Sequence, residues 1–229
     1  MSLTLLDYRT KVRRLLRDQT ASLYSNDELN AYIAESRHRR DLDTRRVKAC
    51  FGLSLTANVS TYSLLDVGAA PLVRGEATCL PKDVVSLHVI PTGGTAGGSG
   101  LRYPLARVPY SRLAYLVSTS WPGYPYAYAV YDPNTIVLAP PPPLAYAAEW
   151  DTVGIFPDLV QDTDVEPMPD PYNDPLPYLA ASIAKVNAQR YDEADRFLAD
   201  YETSLMKVVQ GIRQLAIAAP WSDLPRGMR

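Results

Sequence analysis

An apolar seam near the C-terminus constrains the fold more than any other feature. It comprises Ala194, Phe197, Leu198, Tyr201, Leu205, Val208, Ile212 and Leu215. From Tyr201 onward its steps are 4, 3, 4 and 3, the period of a helix and not of a strand. A helix of about six turns with one apolar side needs other helices to cover that side. The chain offers three. Thr4 with Asp7 three residues on predicts a capped amphipathic helix over about 4–17, with Leu5, Tyr8, Val12, Leu15 and Leu16 apolar. Ser25 and Glu28 form a second capping box, which opens a helix through Leu29, Tyr32, Ile33 and Ser36 to about Lys48. Asn173 or Asp174 caps a third, with Pro175 in its first turn and Leu176, Leu179, Ala180, Ile183 and Asn187 along one side. Tyr191 to Glu193 then turns the chain into the last helix.

Between these helices the period changes to two. Leu53, Leu55 and Thr61 to Leu65 predict two short strands around a turn at Asn58 to Ser60, and Asp66 to Gly75 reads as a loop. Val84 to Ile90 is a strong strand, Thr92 to Gly100 a glycine-rich loop, and Leu101 to Val108 another strand candidate. A short helix over 109–117 precedes the rigid turn Trp121-Pro122-Gly123-Tyr124-Pro125. Tyr126 to Tyr131 and Thr135 to Ala139 form a hairpin that the prolines from Pro140 terminate, and Tyr146 to Val153 is a further strand. Ile155 to Pro175 reads as a surface connection. The fold class is α+β: a helical bundle from the N- and C-terminal helices with an inserted, mostly antiparallel β domain. The expected divisions are 1–50 with 173–219 for the bundle, 51–172 for the β domain and 220–229 for a C-terminal tail.

Little in the chain points to chemistry. His38 lies among arginines and His88 in an apolar strand, while Cys50 and Cys79 are too far apart in sequence for a CxxC pair. No GxSxG, HExxH or phosphate-loop pattern occurs. Asp162, Asp164 and Glu166 alternate as cation ligands could, but without the glycine and spacing of a calcium loop they read as solvated carboxylates. The reading is a non-enzyme with no cofactor. A net charge of −2 gives no overall attraction to nucleic acid or anionic membrane. Met1 to Gln19 does not follow a signal-peptide pattern, and no apolar run is long enough to span a membrane. The composition departs from the ordinary in its 16 Tyr against 3 Phe, and Tyr suits interfaces and half-buried sheets.

One stretch is strongly basic: Arg37, Arg39, Arg40, Arg45, Arg46 and Lys48. The spacings Arg37–Asp41, Arg39–Asp43 and Asp41–Arg45 predict an exposed face laced by salt bridges. The alternative is a nucleic-acid or inter-subunit face built from Arg37, Arg39, Arg40, Arg45 and Arg46. A third class of function is glycan binding by Trp121, Tyr124, Tyr126 and Tyr128.

The serial order of motifs resembles a tailed-bacteriophage head-to-tail adaptor, the connector or tail-tubular type. Tyr24-Ser25-Asn26-Asp27-Glu28-Leu29 is similar to that family's helix start, and Thr61-Tyr62-Ser63-Leu64 to the end of its strand pair. Leu80-Pro81-Lys82-Asp83-Val84-Val85 resembles its LPxDF opening of a strand, and Tyr131 to Pro142 its hairpin with alternating prolines. Pro177 to Ala181, Tyr191 to Ala194 and Phe197 to Glu202 follow in order. The stretches Asp66 to Gly75 and Thr92 to Gly100 depart from the pattern as loop elaborations.

The resemblance implies a structural virion protein made in the bacterial host cytoplasm and placed at the head–tail junction. Such a protein forms a homo-oligomeric ring, typically a dodecamer, that docks on the portal protein. The ring extends the channel, through which genome DNA passes without tight binding, and presents a surface for a downstream tail or nozzle protein. It implies no catalytic residue, cofactor or membrane partner. Trp and Arg dominate interface energetics, so Trp221, Leu224, Arg226 and Arg229 of the tail are the expected portal anchor. The alternative is that the tail packs on its own bundle or on a neighbouring adaptor.

Overall fold

In the computed structural model the described residues are 3–63, 72–75, 79–90, 101–119, 121–132 and 134–218, the side chains of 118–119 and 211–218 and those of Leu72 and Arg74 excepted. The chain forms two compact units, one of 1–44 with 158–229 and one of 45–157.

The helical unit contains α1 (Leu5–Leu16), α2 (Asn26–Thr44), α4 (Leu176–Asn187) and α5 (Tyr191–Ala218). Both capping boxes form. The Asp7 amide donates to the Thr4 hydroxyl at 3.2 Å and the Thr4 amide to the Asp7 carboxylate at 2.9 Å. Ser25 and Glu28 repeat the exchange at 3.2 and 2.8 Å. Each satisfies two amides that a helix start leaves unpaired. α2 ends at Thr44, short of the expected Lys48, because Arg45 adopts a left-handed φ of 50° and β1 begins at Lys48. A left-handed residue just past the last turn is a common helix stop. The turn before α5 likewise falls at Gln189, with φ 57°, so Tyr191 to Glu193 is already helical.

The core of this unit joins Leu5, Tyr8, Val12 and Leu16 of α1 to Leu29 and Ile33 of α2 and to Leu176, Ala180, Ala181 and Ala184 of α4. α4 is its centre, since its three alanines let neighbouring helices approach closely and it packs against α1, α2 and α5. The C-terminal seam is covered at its start, where Ala194 and Tyr201 are buried. Leu205 and Val208 are only half-buried.

The β unit holds a five-stranded sheet of order β3-β1-β9-β4-β5, from β1 (Lys48–Leu55), β3 (Leu72–Gly75), β4 (Leu80–Ile90), β5 (Tyr103–Pro104) and β9 (Tyr146–Ile155). A four-stranded sheet has the order β2-β8-β7-β6, from β2 (Thr61–Ser63), β6 (Ala106–Arg107), β7 (Ala127–Asp132) and β8 (Thr135–Ala139). α3 (Tyr110–Thr119) covers this second sheet through Leu113, against Ala127, Ala129, Val137 and Ala139. All pairings are antiparallel except β6 with β7. The α+β class with helices towards both termini is therefore as expected.

The connections within the β unit differ from the expected ones. The two strands around Asn58 do not pair with each other, because β1 joins β9 and β2 joins β8. The single strand read over 101–108 is two short strands, one in each sheet, and part of the loop read before Leu80 is β3. Trp150 anchors the larger sheet, buried at 1% exposure with its ring centroid 5.3 Å from that of Phe51.

Candidate functional site

The basic run on α2 is not one exposed face. Its positions continue the apolar stripe: Leu29 and Ile33 are followed, one and two turns on, by Ser36, Arg37, Arg40 and Asp41, all buried. Arg37 donates through Nε to Glu166 at 2.8 Å. Arg40 donates to Glu166 at 3.2 Å, to Asp41 at 2.7 Å and to the side-chain Oδ1 of Asn173 at 2.7 Å. Both guanidiniums are at most 1% exposed, and so cannot present a phosphate-binding surface. Arg39 is exposed and pairs with Asp43 at 3.9 Å, as the spacing predicts. Arg45 and Arg46 are exposed but belong to the β unit. The arginine set is thus split between a buried network and the surfaces of two units.

The network fastens the segment 158–175 to the helices. Tyr8 of α1 donates to Glu166 at 3.4 Å, the Met168 amide donates to Glu166 at 3.2 Å, and Asn173 donates to the Met168 carbonyl at 2.7 Å. A short bridge pairs Thr4 with Val165, and Arg9 of α1 pairs with Asp162. This is why 158–172 belongs to the helical unit and not, as read from sequence, to the β domain. Burial alone would raise the Glu166 carboxyl, but the hydrogen bond from Arg37 and the charges of Arg40 and Arg37 hold it below its ordinary range. Burial beside Glu166 pushes the Tyr8 hydroxyl well up, so it stays a neutral donor.

The alternating acids therefore do not form a cation site. Asp162 takes Arg9, Asp164 accepts the Val160 and Gln161 amides at 2.7 Å each, and Glu166 is buried rather than solvated. Among the described residues no group of three metal-ligating side chains converges. In the β unit Ser86 and His88 lie near Asp151, at 2.6 and 4.0 Å. The Ser86 hydroxyl donates to the carboxylate and not to the imidazole, so the nucleophile–base–orienting order of acyl-transfer sites is not built. His38 pairs with Asp158 at 2.8 Å.

What the described surface offers is contact area. In the β unit Trp121 is 89% exposed, Tyr126 53% and Tyr124 39%, while Tyr128 is buried. Tyr124 stands edge-on to Tyr103 and Tyr146 at centroid distances of 5.6 Å, and Tyr110 packs against Tyr131 at 4.6 Å. Exposed, mutually packed tyrosines are typical of protein interfaces. No described helix is long and apolar enough to cross a membrane. The expected anchor residues Trp221, Leu224, Arg226 and Arg229 lie outside the described residues.

No curated protein matches the sequence. The family model of the SU10 adaptor protein matches residues 3–222, spanning both units. The chain belongs to the SU10 adaptor protein family.

Proposed function

We propose that this adaptor is a structural virion protein that forms a ring, docks on the portal, extends the DNA channel and presents the attachment surface for the tail. The observation that carries the reading is the family match over residues 3–222. The molecule fits it in two ways. Rings of identical chains require repeated contact surfaces on rigid bodies, and the buried ion network fixes segment 158–175 against α1 and α2. The exposed tyrosines and Trp121 give the β unit a surface suited to a protein partner, and in this reading they face a downstream tail or nozzle protein.

Of the arginines considered for nucleic acid, Arg37 and Arg40 are buried against carboxylates, which leaves Arg39, Arg45 and Arg46 on the surface. DNA in this reading passes through the ring without tight binding.

Portal docking is assigned to the tail residues Trp221, Leu224, Arg226 and Arg229. Deleting 220–229 is expected to weaken binding to purified portal rings at least 100-fold, since truncating a few Trp and Arg hot spots removes several kcal/mol. Surface plasmon resonance of the truncated and full chains measures it, and undiminished binding overturns the assignment.

A further inference from the structure

The helical unit carries two exposed helix faces of opposite charge. On α1 the outward residues Leu6, Thr10 and Arg14 follow at i, i+4 and i+8, with the C-cap Arg17 continuing the row and Lys11 beside it. Leu6 is 52% exposed. Lys11, Arg14 and Arg17 make no ion pair among the described residues, although Lys11 acts on Asp7 through space. On α5 an exposed row beside the buried side carries Asp192, Asp195, Ala199, Glu202 and Met206, at steps of 3, 4, 3 and 4, and the exposed Arg196 and Lys207 flank it. Met206 is 56% exposed, and the three acids have no ion partner among the described residues. Glu193 differs from them, since it is held by Lys185 at 2.6 Å.

The two rows match in length when laid antiparallel. At about 1.5 Å of rise per residue, Lys11 and Arg17 lie about 7.5 and 16.5 Å along the axis from Leu6. Counting back from Met206, Glu202 and Asp195 lie at about 6 and 16.5 Å. With Leu6 against Met206, Lys11 therefore meets Glu202 and Arg17 meets Asp195. Arg14, about 12 Å along, falls over the small Ala199 at about 10.5 Å, between two carboxylates.

We infer that the α1 face of one adaptor docks on the α5 face of a second copy, forming the contact that repeats around the ring. This rests on the ring reading above and names its interface. A second copy is the occupant because both complementary faces belong to the same unit of the same chain. A contact between two different faces is heterologous, and such contacts repeat from copy to copy until the rotation closes. Charges arranged this way fix register and partner more than they add raw affinity.

Two triple variants of the full chain test it. One is Lys11→Glu/Arg14→Glu/Arg17→Glu, and the other is Asp192→Lys/Asp195→Lys/Glu202→Lys. All six positions are exposed, and circular dichroism verifies folding. Native mass spectrometry counts subunits in assemblies formed by the concentrated chain and by the chain mixed with portal rings. Each variant alone sets like charges face to face and is expected to assemble on the order of 100-fold more weakly than the wild type. An equimolar mixture of the two restores alternating assemblies, because the reversed faces again complement. Wild-type-like assembly by either variant alone, or no rescue on mixing, overturns the interface while leaving the ring reading standing. A wild type that never passes a dimer, free or on the portal, overturns both. If the first variant loses only salt-dependent binding to a duplex DNA fragment while rings persist, the α1 face belongs to nucleic acid and the inference falls.

Discussion

Glu166→Gln is expected to destabilise the helical unit by about 3–5 kcal/mol, the cost of removing one partner from a buried ionic group. The glutamine fills the same space, so the loss is one of charge. Arg37 and Arg40 would remain buried with Asp41 as the carboxylate on their own helix. The Tyr8 and Met168 donors would face a neutral amide.

The same network sets an acid dependence. The Glu166 carboxyl is held below its ordinary 4.5 by Arg37 and Arg40 in spite of burial. Its stabilisation is therefore complete above about pH 4.5 and is lost as the pH falls through the lowered value. The difference between wild type and Glu166→Gln should shrink across that acid range. Chemical unfolding followed by far-UV circular dichroism, dominated by the helices, measures both effects. A loss under about 1 kcal/mol at neutral pH would show that the network contributes no more than a surface ion pair.

Gly154→Ala is expected to have the largest effect in the β unit. Gly154 sits on β9 opposite Pro81 of β4, and its amide donates to the Val47 carbonyl at 3.1 Å. An added Cβ would overlap the Leu80 carbonyl oxygen, lying 2.8 Å from the Leu80 carbonyl carbon and 2.6 Å from Cys79 Sγ. Two of these atoms are backbone, so relief requires β4 and β9 to separate rather than a rotamer to change. The cost should reach or exceed the top of the about 1–3 kcal/mol usual for overpacking. Trp150 lies on β9 and is buried, so in a Trp221→Phe background tryptophan fluorescence reads this unit. Unfolding should move to lower denaturant in fluorescence for Gly154→Ala, and in circular dichroism for Glu166→Gln. A Gly154→Ala protein with an unchanged fluorescence midpoint contradicts the close approach.

What the sequence displayed was local. Thr4 with Asp7 and Ser25 with Glu28 stated both helix starts, since capping depends only on residues three apart. The period switch after α2 and the tyrosine-rich hairpin were legible for the same reason. Long-range partnerships were not. The i, i+4 rule assigned the basic run to a solvated face, and nothing local tied Glu166, 129 residues from Arg37, to it. A signal did exist, because Arg37 and Arg40 continue the stripe begun by Leu29 and Ile33. Following the stripe rather than the residue class would have placed them inside. Likewise, Thr61 to Ser63 reads as a strand, but only pairing across the unit sends it to β8 rather than β1. Lys11, Arg14 and Arg17, which make no ion pair among the described residues, lie on the amphipathic first helix as a weaker local signal than the denser basic run on α2.

The claim that the chain is a ring-forming portal adaptor is tested most directly by electron microscopy of the purified protein mixed with portal rings from the same virion. One added layer is expected, closed around the channel axis, with one adaptor copy repeated around the ring in twelve-fold symmetry. Portal rings that remain bare at saturating adaptor would contradict it.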